Sequence, residues 1–159
     1  AASRARMRLH RQAMTGLPGT ATRCPVRTLA RMLDDRIQQL ATQGRNIAAV
    51  TTLMPHGTPQ TTPLWVDADD EHLLLNTEVH RQKYKNVARD PRVTVTIWDA
   101  EQPFLYGEVR GEVIETVTGP DARAHIDQLS QKYVGHDYAN PIQSERVILK
   151  VAPKRQYAR

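Results

Sequence analysis

Cysteine is almost absent from this chain: Cys24 is the single one among 159 residues. One thiol excludes an intrachain disulfide and a Cys/His metal cluster, and suits a reducing, cytoplasmic compartment. No apolar run approaches the ~20 residues of a membrane helix, and no charged start leads into the apolar run of a secretory signal, so a soluble protein is expected. Acids are missing from residues 1–31, where seven arginines stand (Arg4, Arg6, Arg8, Arg11, Arg23, Arg27 and Arg31). The other residues hold 15 basic and 17 acidic side chains, so the formal charge of +5 and the pI of about 9.7 are properties of that arm. No aromatic residue interleaves those arginines, so the stacking platform of a nucleic-acid binder is lacking and nucleic acid is not the expected partner. Also missing are a nucleophile triad, paired carboxylates and a metal-ligand cluster. No catalytic residue is assigned and no metal is expected.

The length suits one domain with a moderate core. Residues 1–27 read as a basic extension outside the fold, unstructured by composition, and residues 28–159 as the domain. From Thr28, Leu29, Leu33, Ile37 and Leu40 recur at helical spacing, which predicts an amphipathic helix ending near Gly44. IAAVTTL (47–53) and QTTPLWV (60–66) read as a hairpin around a Pro-His-Gly turn, with Pro63 confining the second strand to an edge or a bulge. His56 is a turn residue without a role. Asp67, Asp69, Asp70 and Glu71 lack the glycine and closing glutamate of a calcium loop and read as a solvated turn.

RVTVTIW (92–98) alternates as a half-buried strand. Phe104–Val117 is a long strand whose Gly107 and Gly111 mark bulges or coiling, as in a closing barrel. A helix starts at Gly119-Pro120 and runs to about Tyr133, and RVILKV (146–151) is the last strand. Short antiparallel strands with few helices predict a small barrel, mainly β and α+β in class, with a first helix, a short helix after the third strand and a later helix.

The stretch with the most chemistry is LLLNTEVHRQKYKNVARDPR (73–92). A buried strand passes through Asn76-Thr77 into a turn with Arg81, Lys83 and Lys85, and a short helix then stops before Pro91. Cations where a helix begins form an anion site, because backbone N–H groups and the helix dipole point the same way. The same residues also read as a solvated surface helix, and the residues alone leave both readings open.

VTTLMPHGTPQTTPLWVD, LLLNTEVHRQKYKNVARDPRVTVTIWD, YGEVRGEVIE, HIDQLSQKYVGHDY and RVILKV in succession resemble the pyridoxamine 5′-phosphate oxidase-like split β-barrel flavoproteins. Within these the chain is most similar to the deazaflavin (coenzyme F420)-dependent branch of actinobacteria, over about residues 28–152. The resemblance implies an FMN-binding-type split β-barrel, assembled as a homodimer with the cofactor at the subunit interface. It implies that Arg81 and Lys83 hold the cofactor phosphate beside Asn76 and Thr77. From charge alone, Lys85 or Arg89 extends that grip by Coulomb attraction. Gln60, Thr62, Pro63 and Trp65 become neighbours of the ring system, and Trp98 reaches the partner's site. Read on their own, Trp65 and Trp98 serve equally as barrel core. The implied activity is hydride transfer from reduced F420 to an unsaturated organic substrate. FMN is the alternative cofactor, and a non-catalytic flavin- or deazaflavin-binding protein is the alternative role. Such chemistry belongs to the cofactor, so the chain needs no triad. Candidate proton donors are Tyr106, Lys132, Tyr133, His136 and Tyr138.

Overall fold

Nine elements follow one another in the computed structural model, which describes residues 32–159: α1 (Asp35–Thr42), β1 (Ile47–Leu53), β2 (Pro59–Ala68), β3 (Leu73–Glu78), α2 (Gln82–Arg89), β4 (Arg92–Trp98), β5 (Tyr106–Val117), α3 (Pro120–Val134) and β6 (Arg146–Ala158). The six strands, all antiparallel, close into a barrel in the order β1-β2-β3-β6-β5-β4, with β4 paired back to β1. This is the small barrel with three helices that the alternating runs predict, and it has the split β-barrel form that the resemblance implies. Alternate residues point inward: Val93, Val95 and Ile97 of β4 meet Ala48 and Val50 of β1, Leu73 and Leu75 of β3, and Val147, Leu149 and Val151 of β6 in one buried core. Each of these valine, leucine and isoleucine side chains contributes roughly 1.5–3 kcal/mol on burial. Among the described residues no helix is long and apolar enough to cross a membrane.

Several boundaries differ from expectation. The first helix begins at Asp35, because the Asp34 carboxylate caps it by accepting from the N–H groups of Arg36 and Ile37. Leu33 is buried ahead of that cap, while residues 28–31 of the expected helix and the basic extension 1–27 lie outside the described residues. The predicted strand from Phe104 starts instead at Tyr106. Asp99 Oδ1 accepts from the N–H groups of Glu101 and Gln102 and holds the preceding residues in a turn, with Phe104 exposed. Asp67 is not in a solvated turn: it is half-buried in β2, and only Asp69–Glu71 form the turn.

The last strand continues well beyond Val151. It pairs with β3 through its first half and with β5 over most of its length, crossing a register shift opposite Gly111. Pro153 pairs with Gly111 at that shift, where a strand tolerates a missing N–H. A Cβ on Gly111 would lie 2.2 Å from the Ala152 carbonyl oxygen. Gly107 answers to a different contact, since its Cβ would lie 2.7 Å from Cγ1 of Ile37, and so it lets α1 settle on the barrel.

Candidate functional site

The barrel opens where β2 and β3 part. β3 pairs with β2 only at Val66–Ala68, so Pro59–Trp65 have β1 alone as a neighbour, while Asn76, Thr77 and Glu78 pair only with β6. Pro63 thus stands on a locally free edge, as its missing N–H requires. Helix α3 covers the outside of this gap, and Arg81 and Lys83 border it where α2 begins. Between them lies a cleft of about 310 Å³.

One wall of the cleft is apolar, formed by Ile47, Leu64, Trp65, Ile126 and Leu129. Trp65 stacks on Tyr133 (5.2 Å between centroids, 9° between planes) and meets Tyr138 edge-on. It is therefore core and cleft wall at once, and the two readings of its sequence position merge. The other end is cationic, with Arg81, Lys83 and Arg146 beside Asn76 and Thr77. Burial, then repulsion from Arg81 and Arg146, holds Lys83 below the usual lysine range. Thr77 is 3% exposed, lines the cleft, and its Oγ1 has no hydrogen-bond partner among the described residues. A buried donor left unmade costs about 1–3 kcal/mol. Three mutually repelling cations and an orphaned hydroxyl at the end of an apolar slot fit an anionic group attached to a flat apolar one.

Beneath the cations lies Glu78, whose side chain is fully buried. Its Oε2 accepts from the N–H groups of Gln143 (2.8 Å) and Ser144 (2.9 Å), and its Oε1 faces Arg146 (3.2 Å) and Arg81 (3.4 Å). Glu78 and Arg146 are cross-strand partners in register. Asn76 stands at the cationic end, and its Oδ1 accepts from Arg146 Nε at 2.8 Å. Arg146 also lies over the Tyr138 ring, 5.1 Å from its centroid.

Of the residues singled out from sequence, Pro63, Trp65, Asn76, Thr77, Arg81 and Lys83 come together in this cleft. Gln60, Thr62 and Trp98 do not line it. Gln60 Oε1 accepts from the buried Asn86 amide, which also donates to Thr52 and so ties α2 to the hairpin. Thr62, on the same strand, has a buried Oγ1 without a hydrogen-bond partner among the described residues. Trp98 is half-buried at the far end of β4, opposite Tyr106. Lys85 is exposed, and Arg89 donates to the Leu53 carbonyl, so neither extends the cationic end.

As residues of the site, Arg146, Glu78, Ile126 and Leu129 escaped the sequence reading. The one signal for Arg146 is a charge immediately ahead of the apolar run Val147–Leu149. Of the proton-donor candidates only Tyr138 lines the cleft. The Tyr133 hydroxyl donates to the Asn46 carbonyl and accepts from the Val66 N–H, and burial pushes its pKa up to about 12. Lys132 is bound to the carbonyls of Ala41 and Val66. Tyr106 leans on Tyr157, and His136 is exposed.

The family model described as pyridoxamine 5′-phosphate oxidase matches residues 33–159, the whole barrel. The chain belongs to that family. The pyridoxamine 5′-phosphate oxidase family includes flavin- and F420-dependent oxidoreductases. Among solved structures, an F420 reductase is 31% identical with a TM-score of 0.67, covering 75% of this chain and 94% of that one. A conserved hypothetical protein of Mycobacterium tuberculosis is 24% identical (TM-score 0.59; 82% and 86% covered). HupZ of Group A Streptococcus is 19% identical (TM-score 0.57; 80% and 94% covered). These last two share the fold. No curated protein matches the sequence.

Proposed function

We propose that this protein is an F420-dependent reductase, taking a hydride from the reduced deazaflavin and delivering it to an unsaturated organic substrate. The observation that carries the reading is the unpartnered Thr77 hydroxyl among Arg81, Lys83 and Arg146, at the end of a slot walled by Trp65. F420 joins a flat ring system to a phosphodiester, which matches the apolar and cationic ends in turn. In this reading Arg81, Lys83 and Arg146 hold the phosphate oxygens, Thr77 donates to one of them, and Pro63 and Trp65 flank the rings. The 31% identity to an F420 reductase favours the deazaflavin over FMN, which the same cleft chemistry would otherwise accept.

The chain is proposed to work as a homodimer. Outward-facing Ala49, Thr51, Thr94 and Thr96, half-buried and uncharged, form a sheet face suited to a second copy. Trp98 borders that face, and its assignment to the partner's site belongs to this dimer. The test is parallel titration of the purified protein with F420 and FMN, followed by absorbance. Tighter binding of F420 is expected. A protein that purifies yellow and prefers FMN would move the assignment to the FMN-dependent oxidases and reductases.

A further inference from the structure

Beside the cleft runs a polar chain that reaches from the half-buried Asp67 of β2 through the buried His125 of α3 and Asn76 to Arg146. Asn76 is 7% exposed and each end of its amide is engaged. Oδ1 accepts from Arg146 Nε at 2.8 Å, while Nδ2 donates to the Ala122 carbonyl at 2.8 Å and faces His125 Nδ1 at 3.2 Å. Rotating that amide by half a turn would set NH2 against the guanidinium N–H and oxygen against a carbonyl, so one orientation is allowed. With Nδ2 as the donor, His125 Nδ1 must accept, which places the ring proton on Nε2. His125 is itself 6% exposed, and its Nε2 has no hydrogen-bond partner among the described residues. The Asp67 carboxylate stands 3.6 Å from Nε2 and favours the proton there.

We propose that His125 and Asp67, neither of which lines the cleft, are positioning residues that act through Asn76 to aim Arg146 at the bound anion. Nε of Arg146 is fixed by Asn76 and Nη1 by Glu78, which leaves Nη2 without a protein hydrogen bond among the described residues. A guanidinium pinned at two corners presents the third in a fixed direction, and the ordering that anion binding requires is already in place. The inference rests on the reading of Arg146 as a phosphate ligand. The competing role for the same contacts is structural: Asn76 also ties α3 to β3 through Ala122.

The two roles separate in one set of titrations, using the phosphate-bearing cofactor (F420, or FMN if that is the one bound) and the same chromophore without its phosphate. His125→Phe removes the acceptor while keeping a ring. It is expected to weaken the phosphate-bearing form ~5–10-fold and leave the phosphate-free chromophore unchanged. His125→Asn, whose Oδ1 can take the place of Nδ1, is expected to restore most of the affinity. In an Arg146→Ala background His125→Phe should cost nothing further.

Equal losses for both ligands, a loss that persists undiminished without Arg146, or unchanged affinity in His125→Phe would each overturn the proposal. If His125→Phe does not fold, Asp67→Asn decides. It is expected to cost ~2–3-fold for the phosphate-bearing form alone, and nothing once Arg146 is gone, and any other pattern rejects the role. An Arg146→Ala protein that binds the cofactor as the unmodified one does would remove the phosphate-ligand reading and this inference with it. Unchanged His125 and Asp67 variants beside a weakened Arg146→Ala would remove this inference alone.

Discussion

Replacing Glu78 with glutamine removes the carboxylate on which the cationic end of the cleft is built, and the cost can be worked from its contacts. The glutamate accepts from two backbone N–H groups and faces two guanidinium groups, one of them on the buried Arg146. Taking one partner from a buried ion pair costs roughly 3–5 kcal/mol, because the other charge is left uncompensated. Glutamine keeps an acceptor oxygen for the N–H groups, so the lower end, about 3 kcal/mol, applies. For a domain of this size that lowers Tm by roughly 10–15 °C. The variant stays folded at 25 °C if the domain has an ordinary stability of about 5–15 kcal/mol.

Thermal unfolding followed by circular dichroism measures this, and its pH dependence adds a second check. Burial acts to raise the Glu78 pKa, but the Ser144 and Gln143 N–H groups, then Arg146 and Arg81, lower it by more, so it lies below the ordinary glutamate value. A carboxyl depressed in the folded state contributes its stability in full above the unfolded pKa and loses it as pH falls through the folded one. The gap in Tm between the unmodified protein and Glu78→Gln must therefore be widest near neutrality and narrow in acid. Adding Arg146→Met should recover part of the loss, since the stranded charge is gone. A Tm within about 3 °C of the unmodified protein at neutral pH, or a gap that widens in acid, would refute this reasoning.

Arg81→Ala and Lys83→Ala should each lower cofactor affinity about tenfold to a hundredfold, or roughly 1.5–3 kcal/mol, in equilibrium titration. Lys85→Ala, exposed and outside the cleft, should do little, and a larger effect there would count against the site. Gly111→Ala places a methyl against the Ala152 carbonyl and should destabilise by about 1–3 kcal/mol or more in urea unfolding. Tyr133→Phe leaves the Asn46 carbonyl and the Val66 N–H without their partner and should cost about 1–3 kcal/mol in the same assay. Removing residues 1–27 should leave cofactor affinity unchanged at moderate salt, and sedimentation should find a dimer; a monomer at micromolar concentration would remove the interfacial site.

Local chemistry by itself determined the strands, the short helix before Pro91 and the cations that begin it. Period-two burial, the proline's constraint on its predecessor and the spacing of Arg81 and Lys83 are all written within a few residues. That pattern was enough for a barrel and for half of the cleft. What only the tertiary structure decided depends on partners far apart in the chain. Arg146 becomes a cleft residue because antiparallel register sets it opposite Glu78, 68 residues earlier. Asn76 is spent on orienting that arginine, and Gln60 on Asn86, contacts for which neither position carries a local signal. The last strand outran its apolar run because Gly111 leaves room for the Ala152 backbone at a bulge. Side-chain direction at a barrel's opening follows from which strand ends are left unpaired, and pairing between distant segments is the quantity a local pattern does not hold.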